Sequence, residues 1–532
     1  MEPILLYDTT LRDGAQGENI NFSAEEMIKI AQKLDALGIH YIEGGWPGSN
    51  PRDERFFELA KNIKFQNARL SAFGSTRKPG VTADEDQNLK ALIKSSTPAV
   101  TIFGKTWDLH VKQIMNNTLQ ENLAMITDSV EFLKKNGREV IYDAEHFFDG
   151  YLANREYALQ TLIAAIDGGA ETVVPCDTNG GTLPDDVETI MIDVYNTLNK
   201  YREKTNSLPI KIGIHTHNDS GLAVANSIAA VRHGAVMVQG TINGYGERCG
   251  NADLTSIIPI LSLKMNRQCI SKENLAKLKN TSRFVSESAN MTPLNSRPFV
   301  GKSAFAHKGG IHVSAVMKVP RAYEHMNPEL VGNERRVLIS DLAGKSNVEY
   351  KAKELGIELG TNGFDSRKIV SEIKRMEEKG YQFEVADGSF KILMEKLTKQ
   401  FKPLFELKSF RVHIEKEKDR PCSAHATIKI SVGDTEEITA AEGSGPVGAL
   451  DNALRKALEK FYVADLDSMH LVDFKVRVID AWEGTAAKVR VLIESRDEDR
   501  IWSTIGVSED IIEASWQALA DSFQYKLSKE RS

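Results

Sequence analysis

Short apolar runs and amphipathic stretches alternate in a regular rhythm from residue 4 to about 270. The runs read ILLYDT, YIEGGW, RLSAFG, AVTIFG, EVIYDAE, TVVPCDT, IKIGIHTH and VMVQGTIN. Each has strand length, and each is followed by a segment whose apolar positions recur at helical spacing. SAEEMIKIAQKLDALG shows the punctuation: Ser23 stands as N-cap, Glu26 as its capping-box partner and Gly38 as the terminator. Repeated strand-then-helix units at this spacing predict a (β/α)8 barrel of the TIM type over residues 1–270.

Barrels of this kind keep their chemistry at the C-terminal ends of the strands, and the polar residues gather there. Asp8, Arg12 and Asp13 follow the first strand, Glu43 ends the second, Glu145 the fifth, and Asp177 with Thr178 the sixth. His215 and His217 end the seventh, and GYGERCGNAD follows the eighth. Strands seven, eight and one become neighbours on closure, so residues distant in sequence meet over one end.

Side chains alternate along a strand, so His215 and His217 project from the same face and can reach one metal ion. Asp13 and Asn251 on neighbouring loops complete a candidate set of two imidazoles, a carboxylate and an amide. Such a set leaves positions open for a chelating 2-oxo acid, whereas a closed structural zinc site would take a full complement of Cys and His. Arg12 is placed to stabilise charge developing on a keto oxygen, or to tie down the rim. Glu145 reads either as a proton-transfer group, or holder of a catalytic water, or as an ion-pair partner of Arg12.

Residues 271–401 lose the strand rhythm and read as helices with turn-rich joins, a connecting region in which AFAHKGGIHVSAV puts His307 and His312 in a glycine-containing loop. Residues 402–532 carry an internal repeat. ATIKISVGDTEEITAAEGSGPVGALDNALRKAL from Ala426 aligns with AKVRVLIESRDEDRIWSTIGVSEDIIEASWQAL from Ala487, matching Gly445 to Gly506 and Ala453 to Ala514. Each copy reads as a strand hairpin followed by a helix, giving a small pseudo-symmetric α+β domain. Gly443, Gly445 and Gly448 at the first helix start suggest a cradle for a small carboxylate; a pure dimerisation module is the alternative.

The net charge of −7 and the lack of a clustered basic stripe argue against a nucleic-acid partner. No apolar run reaches the roughly 20 residues that span a bilayer, and the N-terminus lacks a secretory pattern, so a cytoplasmic protein without a membrane partner is expected. Cys176, Cys249, Cys269 and Cys422 are scattered and read as reduced thiols. The Gly-Lys-Ser triplets at Gly301 and Gly344 are not phosphate loops, because Ser296 and Ile339 occupy the positions that need glycine.

DTTLRDGAQ, HTHND and GERCGNADL together resemble the signature set of the metal-dependent acyltransferase and lyase barrels that include the isopropylmalate, homocitrate and citramalate synthases. The likeness continues through AFAHKGGIHVSAV and RAYEHMNPELVG into the repeat domain, so it covers nearly the whole chain. It implies that Asp13, His215, His217 and Asn251 bind a divalent metal (manganese, magnesium, cobalt or zinc), and that Arg12 polarises the keto group. Gln16, Glu145 and Thr178 would contact the 2-oxo acid, and His312 with Tyr323 would serve the barrel of the other subunit in a homodimer. The implied reaction is a Claisen-type condensation with acetyl-CoA followed by thioester hydrolysis, which needs positioned acid and base groups rather than a nucleophile.

YDAEHFFDGY and VPCDTNGGTLP are more like the citramalate branch, which points to pyruvate as acceptor, with 2-oxoisovalerate second. Phe147 and Phe148 are read as filling the space an isopropyl group would need, or as outer barrel packing. The resemblance further implies an amino-acid effector on the C-terminal domain, isoleucine for the pyruvate enzyme. A lyase that cleaves a 3-hydroxyacyl thioester shares the barrel but has no reason to carry the repeat domain. A non-catalytic amino-acid sensor would leave the metal constellation idle.

Overall fold

The computed structural model describes residues 2–205, 209–340, 342–357, 366–479, 487–498 and 500–529. Eight parallel strands close into a barrel in sequence order: β1 (Leu5–Asp8), β2 (Tyr41–Glu43), β3 (Arg69–Ser75), β4 (Ala99–Lys105), β5 (Glu139–Glu145), β6 (Thr172–Asp177), β7 (Lys211–Thr216) and β8 (Met237–Gly240). Closure comes from β8 pairing in parallel with β1, Leu5 opposite Met237 and Asp8 opposite Gly240. The first helix, Ala24–Leu37, has the expected capping box between Ser23 and Glu26 and ends on Gly38 at φ 94°.

Strand alternation sorts the residues into two sets. Leu6, Ile42, Val100, Ile102, Val140, Val173, Ile214 and Val238 point outward into the layer shared with the helices. Tyr7, Tyr41, Ala99, Ile141, Val174, Cys176 and Met237 form a separate interior cluster. Two residues further along several strands the interior turns polar, with Glu43, Thr101, Asp143, His215 and Gln239 all buried. The same period of two that plugs the barrel therefore delivers the polar layer beneath its mouth.

The chain divides into two compact units, Met1–Phe305 with Met326–Glu334, and Ala306–His325 with Arg335–Ser532. Helices Lys272–Leu275 and Leu278–Ser288 belong to the barrel unit. In the second unit, helices Gly310–Lys318, Lys345–Glu354, Ser366–Glu378 and Asp387–Leu397 meet the helical expectation. Its short parallel ribbon of β9 (Ala306–His307) and β10 (Arg336–Val337) was not expected. Part of the turn-rich stretch LGIELGTNGFDS, residues 358–365, lies outside the described residues.

The C-terminal repeat is present, but each copy is larger than a hairpin and its register differs. Strands β11 (Glu406–Glu415), β12 (Ser423–Val432) and β13 (Thr435–Gly443) form one antiparallel sheet, followed by helix Pro446–Leu466. Strands β14 (His470–Val478), β15 (Val489–Arg496) and β16 (Ile501–Ser508) form the other, followed by helix Ile511–Lys529. Thr439 Oγ1 donates to the Ala453 carbonyl, and Thr504 Oγ1 donates to that of Ala518, each at 2.7 Å. Ala453 is thus equivalent to Ala518 rather than Ala514, about one helical turn from the register that sequence alone suggests. Gly445 opens a helix whereas Gly506 lies within β16, so those two do not correspond. Among the described residues no helix is long and apolar enough to cross a membrane.

Candidate active site

At the mouth of the barrel Asp13, His215 and His217 bring one donor atom each to within 4.8 Å of one another. Asp13 Oδ2 lies 3.5 Å from His215 Nε2 and 3.8 Å from His217 Nε2, and the two rings sit 5.1 Å apart, edge to face. All three residues are buried. Burial pushes both imidazoles below their ordinary value, His217 to about 4, and His215 adds to the effect on its neighbour. Burial also works to raise Asp13, but Arg12 and the two imidazoles outweigh it and hold the carboxyl low. Near neutral pH the cluster therefore presents a carboxylate and two imidazole lone pairs.

Asn251 joins through the loop after β8. It bridges to His217 as an isolated antiparallel pair, and its side chain helps to hold the Asp13 carboxylate low. Its Nδ2 donates to the Tyr245 carbonyl at 3.1 Å, while its buried Oδ1 has no hydrogen-bond partner among the described residues. An acceptor left over beside a carboxylate and two neutral imidazoles is what a divalent cation needs, so the donor set fits a metal.

Tight backbone approach makes this loop possible. Gly250, at φ 90°, has no room for a Cβ, which would meet the Gly244 carbonyl oxygen at 2.0 Å; at Gly246 a Cβ would meet Asn251 Nδ2 at 2.2 Å. Arg248 then clamps the loop, donating to both carboxylate oxygens of Asp219 at 2.8 and 3.0 Å and to the Thr178 carbonyl at 2.7 Å.

Arg12 is fixed from three sides. Its Nε donates to Glu43 Oε1 at 2.5 Å, its Nη1 lies 3.6 Å from Asp13 Oδ2, and its guanidinium sits 3.8 Å over the Phe73 ring. Burial would discharge it, but Glu43 and then Asp13 hold its pKa above the ordinary arginine value. Glu43, itself fully buried, also accepts from Tyr7 Oη and Thr9 Oγ1, each at 2.5 Å. Gln16 Oε1 stands 3.5 Å from Arg12 Nη1.

Glu145 pairs with Lys105 at the end of β4, not with Arg12. Thr178 Oγ1 accepts from the His146 backbone at 2.9 Å, and His146 takes φ 56° at the turn into helix Phe147–Ala153. Phe147 and Phe148 are fully buried between sheet and helices, packed edge to face with centroids 5.9 Å apart. This placement agrees with the outer barrel packing read as the alternative to filling the acceptor space. Phe73, the ring under Arg12, stacks on Phe103 with centroids 5.5 Å apart, and Trp46 is edge-on to both.

His312 and Tyr323 belong to the second unit and stack on each other, centroids 4.4 Å apart. His312 lies in the first turn of helix Gly310–Lys318 rather than in a loop, because Gly309 is the residue before a helix start, and it is exposed. His307 sits on β9, with Nε2 3.1 Å from Glu324 Oε1; Arg335 grips the same carboxylate through two contacts of 2.6 Å.

Sequence reasoning missed Gln239 and Asp143. Gln239 Oε1 stands 2.9 Å from His215 Nδ1, and Gln239 Nε2 donates to Asp143 Oδ1 at 2.8 Å. Burial, reinforced by Glu43, pushes the Asp143 carboxyl well above the usual range, against the pull of the Gln239 hydrogen bond. Stepping back two residues from Glu145 along its strand would have found Asp143, since the alternation places both on the inner face.

Residues 3–285 match the HMGL-like family model, 299–381 a homocitrate synthase post-HMGL domain-like model, and 384–527 the LeuA allosteric (dimerisation) domain model. The chain is 55% identical to an (R)-citramalate synthase of Geobacter sulfurreducens, covering 99% of this chain and 98% of that protein. It is 53% identical to an (R)-citramalate synthase of Aquifex aeolicus, with coverage of 99% and 98%. Identity to a 2-isopropylmalate synthase of Methanocaldococcus jannaschii is 32%, with coverage of 99% and 95%. With the matched models spanning both units and the identity running end to end, the chain belongs to the HMGL-like family, among its citramalate synthase-type condensing acyltransferases.

Proposed function

We propose that the protein is an (R)-citramalate synthase. It joins the acetyl methyl carbon of acetyl-CoA to the keto carbon of pyruvate, and water then cleaves the thioester to release citramalate and CoA. The observation that carries the choice of pyruvate is the end-to-end identity to (R)-citramalate synthases, far above that to the 2-isopropylmalate synthase. The pathway place that follows is the entry step of a threonine-independent route to isoleucine, in the cytoplasm.

In this reading Asp13, His215, His217 and Asn251 hold a divalent metal. When bound, the metal supplies Lewis-acid polarisation of the acceptor's keto group. Arg12, kept charged and aimed by Glu43, stabilises the negative charge that grows on the former keto oxygen. Gln16 and Thr178 position pyruvate, and Glu145, paired with Lys105, works in proton transfer at the same rim. A thioester α-proton is weakly acidic, so enolate formation depends on a placed base; His312, stacked on Tyr323, is assigned that role across a homodimer. The C-terminal segment acts as the dimerisation and allosteric domain with isoleucine as effector. Gly445 opens its helix without a side-chain cap, whereas Asp510 caps the equivalent helix through Ile512 N at 2.7 Å, which supports a carboxylate cradle in the first copy only.

Product analysis tests the reading. Incubation with acetyl-CoA, pyruvate and manganese is expected to yield (R)-citramalate on a chiral column, and 2-isopropylmalate is not expected to outrun it when 2-oxoisovalerate competes. Preferential 2-isopropylmalate would overturn the choice of acceptor.

A further inference from the structure

We propose that Gln239 and Asp143 form a positioning relay that fixes which nitrogen of His215 faces the metal. The proposal rests on the metal reading given above and extends it to two residues outside the donor set.

The geometry is a chain of three side chains from three strands. Asp143 on β5 accepts from Gln239 Nε2 at 2.8 Å, and Gln239 Oε1 on β8 meets His215 Nδ1 at 2.9 Å. All three are buried, with exposures of 4%, 1% and 5%. An amide has one donating and one accepting end, so once its NH2 is spent on Asp143 it turns its carbonyl to His215. A carbonyl only accepts, which places the imidazole proton on Nδ1 and leaves the Nε2 lone pair facing Asp13 Oδ2, 3.5 Å away. A partner on the far ring nitrogen that sets tautomer and ring orientation is a general requirement of metal-binding histidines.

His217 provides the internal contrast. Its Nδ1 is buried and has no hydrogen-bond partner among the described residues, so no side chain dictates its tautomer. His215 is therefore the preset ligand and His217 the one that settles when the ion arrives. A polar chain buried beneath the site merely as filling would gain nothing over apolar residues of the same volume.

The experiment measures Co(II) affinity of the full-length, metal-stripped protein by competition with a chelating dye, and records the visible absorption of the Co(II) form. Gln239→Leu fills the volume but accepts nothing from Nδ1, and the relay predicts Co(II) binding weaker by about 10- to 100-fold with an altered absorption band. Gln239→Glu keeps an acceptor against Nδ1 and is expected to bind Co(II) more tightly than Gln239→Leu. A packing role predicts the reverse order, since glutamate buries an extra charge and leucine does not, and that order would overturn the relay. Asp143→Leu frees the amide to turn over, so it too is expected to weaken Co(II) binding; affinity equal to wild type would remove Asp143 from the scheme. Thermal melting of each metal-free variant identifies any that fails to fold, and the contrasting substitutions keep the test decisive. Failure of the wild type to bind Co(II) would overturn the metal reading and the relay with it, whereas tight binding by all forms would overturn the relay alone.

Discussion

Replacing Glu43 by Gln probes whether the charge on Arg12 is organised for catalysis. The carboxylate is fully buried, receives Arg12 Nε at 2.5 Å and also accepts from Tyr7 and Thr9. Two unit charges about 4 Å apart attract by about 4 kcal/mol at an effective dielectric of about 20. Glutamine keeps a hydrogen bond to the charged Arg12, which retains about 2 kcal/mol. The loss is therefore about 2 kcal/mol, and Tyr7 softens any further cost because its hydroxyl also meets Thr101 Oγ1 at 2.7 Å. Freed from Glu43, Arg12 is drawn toward Asp13 and away from the keto oxygen it is proposed to serve. If that loss falls on the transition state, kcat/KM drops by about 30-fold. Steady-state CoA release with pyruvate, alongside melting curves, measures it. A variant within threefold of wild type in kcat/KM would refute the placement of Arg12 as the charge-stabilising group.

Further predictions concern the loop, the pH response and the division of labour. Gly250→Ala drives a Cβ against the Gly244 carbonyl at a positive φ, so it is expected to lower stability by about 2 kcal/mol or more and to weaken metal binding beside Asn251; unchanged melting and affinity would contradict the loop geometry. His217 is neutral in the folded state down to about 4, mainly through burial, whereas an unfolded histidine takes a proton near 6.5. The unfolded state alone then gains a proton as pH falls from about 6.5 to about 4, so metal-free stability is full above that window and is lost through it, by about 3 kcal/mol. His217→Asn should make the melting-versus-pH curve shallower there, leaving the share of His215, which burial also holds low. Refolding a mixture of the inactive variants His215→Ala and His312→Ala should restore about a quarter of wild-type turnover if His312 serves the partner's barrel, and none if it serves its own.

The barrel was legible because strand alternation and helix punctuation agreed along the chain. Ser23, Glu26 and Gly38 made one helix readable end to end. The donor cluster was legible because His-x-His on a strand admits one geometry. Glu43 was read at the rim, but what Glu43, Asp143 and Gln239 do lies in contacts across the barrel that spacing does not encode. Phe147 and Phe148 follow a strand end, yet beyond the left-handed turn at His146 both are fully buried in the apolar core. The repeat register slipped because alanine and glycine recur in both copies. Strands β11 and β14 escaped notice because most of their residues are exposed, which blurs the alternation.

Release of CoA from acetyl-CoA, followed with a thiol reagent, tests the central claim most directly. Pyruvate, 2-oxoisovalerate, 2-oxobutyrate and 2-oxoglutarate are compared in parallel, each with and without a chelator. The expected result is release that is strongest with pyruvate, abolished by the chelator and restored by added divalent metal. Release strongest with another 2-oxo acid, or undiminished by thorough chelation, would contradict the account.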